Sequence, residues 1–293
     1  MHDVRSESPL IAATGMTGMI GRRAKELFPE LGWEPLGVDI TDRAAVDAAV
    51  AQTSAPVVMN LAAYTDVSGA RQQHGDVDGP CYQINVVGVR NLAAACATAG
   101  KHFVHISTVY VFEGDRSSPY VETDAGDAHT DWYGVSKRLA EDVVTESDGG
   151  WAIARLSFPY QRHSDRKTDL VRRIGEQLRS GTMPAMFDDQ IITPTFSDDA
   201  LGILTRIANT RARGVFHAVG PEWLTPHDIA TRVAERLGFD AALVPSSSLQ
   251  AYMDGGGRAF PQTLRLSNSA TISALGQPVH TLDEALQLPG WTF

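Results

Sequence analysis

A chain of 293 residues with 43% hydrophobic content has room for one large α/β unit or two lobes with a real core. Its formal charge of −10, with the basic residues dispersed, argues against a nucleic-acid surface but allows a local basic pocket for a phosphorylated ligand. No run approaches a membrane span, "LIAA" stops too early at Thr14-Gly15 for a signal peptide, and Cys81 and Cys96 lack metal-ligand spacing, so a reduced cytoplasmic protein without a metal is expected.

From Pro9 the pattern alternates. The apolar run "PLIAA" meets a glycine-rich turn, then a helix with Ile20, Ala24, Leu27 and Phe28 on one face. A short strand around "EPLGV" precedes an Ala-rich helix over 43–51, and "APVVMNL" reads as the next buried strand. The helix "INVVGVRNLAAACATAG" stops at Gly100, and "KHFVHIS" is a further strand. After a loop comes the helix of "TDWYGVSKRLAEDVV", then the strand "WAIARLS". Strands and helices alternating at this rate predict an α/β, Rossmann-type doubly wound parallel sheet with its ligand at the strand C-termini.

After Phe158 the alternation loosens into polar loops such as "QRHSDRKTD" and "PSSSLQAYMDGGGRAF". The expected organisation is a dinucleotide-binding domain over 1–160, joined by about 191–219, where "DDALGILTRIAN" and "GVFHAVG" again read as helix then strand. Residues 161–190 and 220–293 would form an interleaved, smaller C-terminal substrate-binding lobe. Within it Thr225-Pro226 opens a helix that Gly238 closes, and Gly255-Gly256-Gly257 reads as a flexible hinge or loop.

Gly15, Gly18 and Gly21 follow the first strand and run into the first helix. Glycines there let a backbone approach a pyrophosphate, whose charge meets the helix N-terminus. Arg22 and Arg23 reach a ribose 2′-phosphate or face water. Asn60 ends a strand beside the small Ala62 and Ala63, which suit either a close cofactor or tight packing. Ser107 and Thr108 end the following strand, where a hydroxyl could bond a substrate carbonyl or cap the strand. Tyr133 and Lys137, four apart, share a helix face. A fixed cation beside a phenol of pKa about 10 favours the phenolate, so the pair could supply a general acid/base near neutrality. The apolar stripe Val135, Leu139 and Val143 is the expected core face, which sets Tyr133 and Lys137 toward a cleft or solvent. The plainer alternative is an ion pair between Lys137 and Glu141.

The order of these pieces resembles the extended short-chain dehydrogenase/reductase superfamily. More narrowly, "NLAAYTDVS", "INVVGVRNLA", "ISTVYVFEG", "YGVSKRLAE", "DDQIITPT" and "LRLSNSATISALG" resemble the dTDP-4-dehydrorhamnose reductase family across residues 9–288. That resemblance implies an NAD(P)H-dependent reductase of a nucleotide-linked 4-keto-6-deoxysugar, with NADP or NAD not distinguished. It implies that Tyr133 protonates the alkoxide formed at C4, that Lys137 holds the nicotinamide ribose, and that Thr108 bonds the carbonyl oxygen. The cofactor would lie against Gly15, Gly18, Met19, Ile20, Gly21, Asp39, Ile40, Leu61, Ala62, Ala63 and Tyr64, with Thr108, Val109 and Arg258 toward the substrate. Arg258 is the candidate for the diphosphate. The partners implied are the sugar nucleotide and, as one allowed assembly, a homodimer, with no nucleic acid and no membrane. Two departures stand out. Val109 replaces the family's usual Asp, and the chain between "GWEPLG" and "VDITD" is short, leaving Asp39 alone to touch the ribose or the adenine. The alternatives are a nucleotide-sugar epimerase or dehydratase with tightly bound NAD, and a non-catalytic NADP-binding regulatory subunit like that of methionine adenosyltransferase.

Overall fold

Ile11–Thr14 (β1) is buried at all four positions, as a strand covered on both faces must be. The computed structural model describes residues 11–162 and 168–293, so Pro9 and Leu10 of the expected first strand lie outside the described residues, as does part of the "QRHSDRKTD" loop. From β1 the chain passes through α1 (Met19–Leu27), β2 (Trp33–Pro35), α2 (Arg43–Gln52) and β3 (Val57–Asn60). Next come α3 (Val67–Gln72), α4 (Pro80–Tyr82), a π-helical turn over Gln83–Val87, and α5 (Gly88–Ala99). Then follow β4 (His102–Thr108), α6 (Trp132–Thr145), β5 (Gly150–Leu156), β6 (Pro159–Tyr160), α7 (Leu170–Ser180), β7 (Met186–Phe187) and β8 (Thr195–Phe196). The remainder is α8 (Ser197–Thr210), β9 (Gly214–His217), α9 (Pro226–Leu237), β10 (Ser246–Ser247), α10 (Leu249–Asp254), α11 (Ser269–Leu275) and α12 (Leu282–Gln287).

The main sheet has the order β2-β1-β3-β4-β5-β9, with β1, β2, β3 and β4 paired in parallel. The order reverses between β1 and β3, which is where a doubly wound sheet opens a crevice for a ligand. Only β2 lies outside β1, the structural counterpart of the short "GWEPLGVDITD" segment. Local signals hold at several ends. Gly100 is left-handed at φ 64° and stops α5, while Thr225 and Asp228 form a capping box ahead of Pro226 and Gly238 closes α9 at φ 76°. Gly255–Gly257 turns the chain at the end of α10 and packs back on it: a Cβ on Gly257 would meet the Tyr252 carbonyl oxygen at 2.5 Å.

The chain divides into two compact units. One holds the residues up to Ser107, Ala128–Ala154 and Leu204–Val215; the other holds Thr108–Asp127, Arg155–Ile203 and Phe216–Phe293. These limits differ from those expected, because 108–127 joins the second unit and only 204–215 returns to the first. Packing explains the difference. Val109, Val111, Phe112 and Tyr120 form a core with Val219, Leu264 and Leu266, and Tyr120 exchanges backbone hydrogen bonds with Arg265 and Ser267. The first unit has its own core, in which Val46, Val50, Val58, Leu92, Phe103, Ala140, Val144 and Ile153 meet. A second core in the other unit joins Ile174, Phe196, Ile229, Val233 and Leu286.

Candidate active site

The glycine turn is built for close approach. Gly15 sits at φ +65°, and a Cβ there would lie 2.5 Å from the Ala62 nitrogen. A Cβ on Gly21 would lie 2.5 Å from Met16 Cα, so this glycine seats α1 against the turn. Gly18 is the N-cap of α1, with no side chain capping the helix and no acid in its first turn. Added bulk at Gly18 would meet only the Gly15 carbonyl oxygen, at 3.2 Å. The helix therefore presents backbone N–H groups to an anion, and these residues fit a dinucleotide pyrophosphate. Met19 and Ile20 are half-buried beside it. Arg23 pairs with Glu26 at 3.1 Å.

Leu61, Ala62, Ala63 and Tyr64 are half-buried and follow β3. Asn85 holds this loop from below: its amide oxygen accepts from the Tyr64 nitrogen at 2.9 Å and its amide nitrogen donates to Ser136 Oγ at 2.9 Å. Asp39 is exposed, past the end of β2, and its carboxylate accepts from the Thr41 nitrogen and hydroxyl at 2.9 and 2.8 Å. Those bonds hold its pKa below the ordinary aspartate value, so it is a fixed negative charge. Ile40 differs from the expected cofactor contact: it is 4% exposed and belongs to the first unit's core.

Asp131 caps α6, accepting from the Tyr133 nitrogen at 3.1 Å, and is anchored by Arg71 at 2.9 Å. Tyr133 thereby starts the helix, one turn from Lys137. The buried face of α6 is not the Val135, Leu139 and Val143 stripe, which is only half-buried. It is Ser136, Lys137, Ala140, Glu141 and Val144. A lysine tolerates this because its amine has partners inside the fold: Nζ donates to the Ile106 carbonyl at 2.7 Å and lies within hydrogen-bond distance of His105 Nε2, at 3.1 Å. Burial pulls the Lys137 pKa down to about 8, opposed by the charge of Glu141. Ser107 Oγ donates to Glu141 at 2.5 Å and is 4% exposed, so this hydroxyl is committed within the fold.

Thr108 is the last residue of β4, 8% exposed, and its Oγ1 accepts from the Tyr110 nitrogen at 3.3 Å. Val109 is 1% exposed within the core of Phe112, Tyr120 and Leu264, so it is a packing residue where a substrate contact was expected. Arg258 lies in the second unit with its guanidinium 4.6 Å from the centre of the Phe260 ring. Cys81 and Cys96 are free and buried, and burial pushes the Cys96 thiol up to about 12.

Sequence reasoning missed His105, Asn85 and Ser136. His105 is wholly buried in β4 and reads in sequence as one polar residue of "KHFVHIS"; only pairing with Asn60 on the next strand reveals its neighbours. The signal available was that Thr14 and Asn60 each end a strand with a polar residue; His105, in the middle of β4, carries none.

A family model described as the RmlD substrate binding domain matches residues 10–289. Over 284 residues the chain is 31% identical to a dTDP-4-keto-6-deoxy-D-glucose reductase of Streptomyces niveus, covering 93% of each. It is 33% identical to the dTDP-4-dehydrorhamnose reductase of Mycobacterium tuberculosis over 282 residues, covering 92% of this chain and 86% of that one. The fold matches that of a Bacillus anthracis dTDP-4-dehydrorhamnose reductase solved in complex with NADP, at a TM-score of 0.83 and 24% identity, covering 96% and 98% of the two chains.

Proposed function

This chain belongs to the RmlD substrate binding domain family, and we propose that it is an NAD(P)H-dependent reductase of a nucleotide-linked 4-keto-6-deoxysugar. The observation that carries the proposal is Lys137, a buried cation site one helical turn from Tyr133, fastened to the end of the strand that leads into Thr108. An interior lysine is costly to bury, and a structural role would be met more cheaply by an apolar residue.

The glycine turn and the loop 61–64 would hold the dinucleotide, and Asp39 would meet its adenosine ribose. A bound reduced nicotinamide supplies the hydride. Tyr133 Oη gives its proton to the carbonyl oxygen as that oxygen gains charge, and Thr108 Oγ1, which among the described residues only accepts, from the Tyr110 nitrogen, donates to the carbonyl oxygen. Lys137 Nζ would hold the nicotinamide ribose and, when charged, would favour the Tyr133 phenolate. Arg258 supplies the forked donor for a diphosphate. The free, buried Cys81 and Cys96 support a reducing compartment, the cytoplasm, as the place where the enzyme works.

Val109 bears on which sugar is reduced. The relatives named above act on different 4-keto sugars, and with a core valine in place of an acid this chain selects its sugar without a carboxylate at that position. The test is loss of absorbance at the reduced-nicotinamide band when dTDP-linked 4-keto-6-deoxysugars of both C4 and C5 series are offered with NADPH and with NADH. Turnover of at least one pair supports the proposal. Tight binding of NAD(P) with no turnover of any sugar, together with capture of a partner enzyme, would favour the regulatory reading.

A further inference from the structure

Three adjacent strands place one polar residue each in a single row. Thr14 of β1 pairs in register with Asn60 of β3, and Asn60 with His105 of β4. Thr14 and Asn60 are each 1% exposed and His105 is 0% exposed, so these side chains must find their partners inside the fold. Lys137 of α6 closes the row at His105 Nε2.

Hydrogen positions follow from the donors. The Ala62 N–H can only donate, and it lies 3.2 Å from Asn60 Oδ1. Thr14 Oγ1 donates to the same oxygen at 2.6 Å. The Thr14 hydroxyl by itself could donate or accept, but the Ala62 N–H, shared with Thr14 Oγ1 at 3.3 Å, would oppose an NH2 on that side of the amide, so Asn60 turns its NH2 toward His105, with Nδ2 3.4 Å from Nδ1. Nδ1 is then the acceptor of the neutral ring, and the ring proton must sit on Nε2. That proton faces Nζ of Lys137 at 3.1 Å. An ammonium would oppose donor to donor; a neutral amine offers its lone pair to Nε2–H and still donates to the Ile106 carbonyl at 2.7 Å.

We propose that the Thr14–Asn60–His105 row fixes His105 as its Nε2–H tautomer, making it a positioning residue that favours the neutral amine of Lys137 in the cofactor-free chain, so that dinucleotide binding in alkaline solution is accompanied by uptake of up to one proton at Nζ. The proton comes from solvent, no other bond is made or broken, and the ammonium then carries the charge that holds the ribose and favours the Tyr133 phenolate. The row thus links the glycine-turn side of the cofactor site, through Ala62 and Thr14, to the charge on the lysine. The Lys137 pKa of about 8 and the strong lowering of His105, both from burial, agree with a neutral ring and an amine that titrates near physiological pH. The other titratable groups toward Lys137 are Glu141 and Tyr133 on its own helix and Cys81 of α4; Glu141 and Cys81 both raise the Lys137 pKa and so oppose the row.

The binding half of this inference rests on the reductase reading; the tautomer half does not. Two-bond 1H–15N correlation spectra of the 15N-histidine-labelled, cofactor-free chain read the tautomer directly, with His105→Gln identifying the signal. The Nε2–H pattern is expected, and an Nδ1–H or charged ring overturns the proposal. Calorimetric titration with NADPH and NADH in two buffers of different ionisation enthalpy then counts protons. From a pKa of about 8, uptake should be about 0.9 proton at pH 9, vanish below about pH 6.5, and be absent in Lys137→Met. Asn60→Asp keeps an acceptor for Thr14 and Ala62 but turns another toward Nδ1, so the tautomer should flip and uptake at pH 9 should fall at least threefold. If that variant does not fold, the wild-type spectrum and proton count decide. A wild type with no uptake at pH 9 while the cofactor binds also overturns the proposal; an Nε2–H ring in a chain that binds no cofactor leaves the tautomer standing and refutes the reductase reading.

Discussion

Replacing Lys137 by Met tests whether a buried ionisable lysine sits beside Tyr133, and it does so without substrate or cofactor. Met matches the length of the side chain and removes the amine. Burial holds the Lys137 pKa at about 8 in the folded chain, against 10.5 for a free lysine. The folded pKa is the lower one, so between these values the unfolded chain binds more protons and wild-type stability rises with pH. The destabilisation is complete below the folded pKa and disappears as pH passes the unfolded one. The gap between those two values corresponds to about 3 kcal/mol at pH 7, falling to about 1.4 kcal/mol at pH 9.5. Met also strands the Ile106 carbonyl and the His105 ring nitrogen, each at a cost of about 1–3 kcal/mol, but that cost does not depend on pH in this window. The quantity to measure is therefore the difference in urea-unfolding free energy between Lys137→Met and wild type at several pH values. Wild type should gain about 2 kcal/mol on the variant between pH 7 and 9.5. A difference that stays flat within about 0.5 kcal/mol across that range would show that Lys137 is hydrated and titrates normally, which would refute its burial and the site built on it.

Tyr133→Phe removes only the phenolic oxygen, so kcat should fall by about 10²–10⁴-fold with cofactor affinity little changed, as measured by steady-state kinetics and fluorescence titration. Gly18→Asp should abolish dinucleotide binding while circular dichroism and melting stay near wild type, because the carboxylate would stand where the open N-terminus of α1 meets the pyrophosphate. Asp39→Ala should weaken NADH more than NADPH, since a fixed carboxylate at the ribose favours the 2′-hydroxyl over a 2′-phosphate; equal losses would assign Asp39 to its turn with Thr41 alone. Val109→Asp, which restores the acid usual in the family, should lower stability by about 3–5 kcal/mol in chemical unfolding, from lost apolar burial and a carboxyl group placed at a 1% exposed position. An unchanged unfolding midpoint would mean that position 109 opens to solvent or ligand.

The sequence by itself was enough for those features whose physics is local. Glycines after the first buried strand, Gly100 and Gly238 at helix ends, the Thr225-Pro226 start, and Tyr133 and Lys137 on one helix face all follow from backbone conformation or from helical spacing. The same spacing misdirected the choice of core face on α6. Val135, Leu139 and Val143 form as regular a stripe as Ser136, Ala140 and Val144, and hydrophobicity alone prefers the first. Tertiary structure decides for the second, because the Ile106 carbonyl, His105 and Ser107 on β4 meet the polar groups of Lys137 and Glu141, so that face can be buried. Val109 shows the same limit from the other side: its place beside "IST" suggests a substrate contact, yet Phe112, Tyr120 and Leu264 enclose it. The Thr14–Asn60–His105 row lies furthest from local signals. Its members are separated by 46 and 45 residues, and each is an unremarkable polar residue until strand register sets them side by side. Register is a property of the whole sheet, and the proton on a buried histidine is fixed only by the neighbours that register supplies.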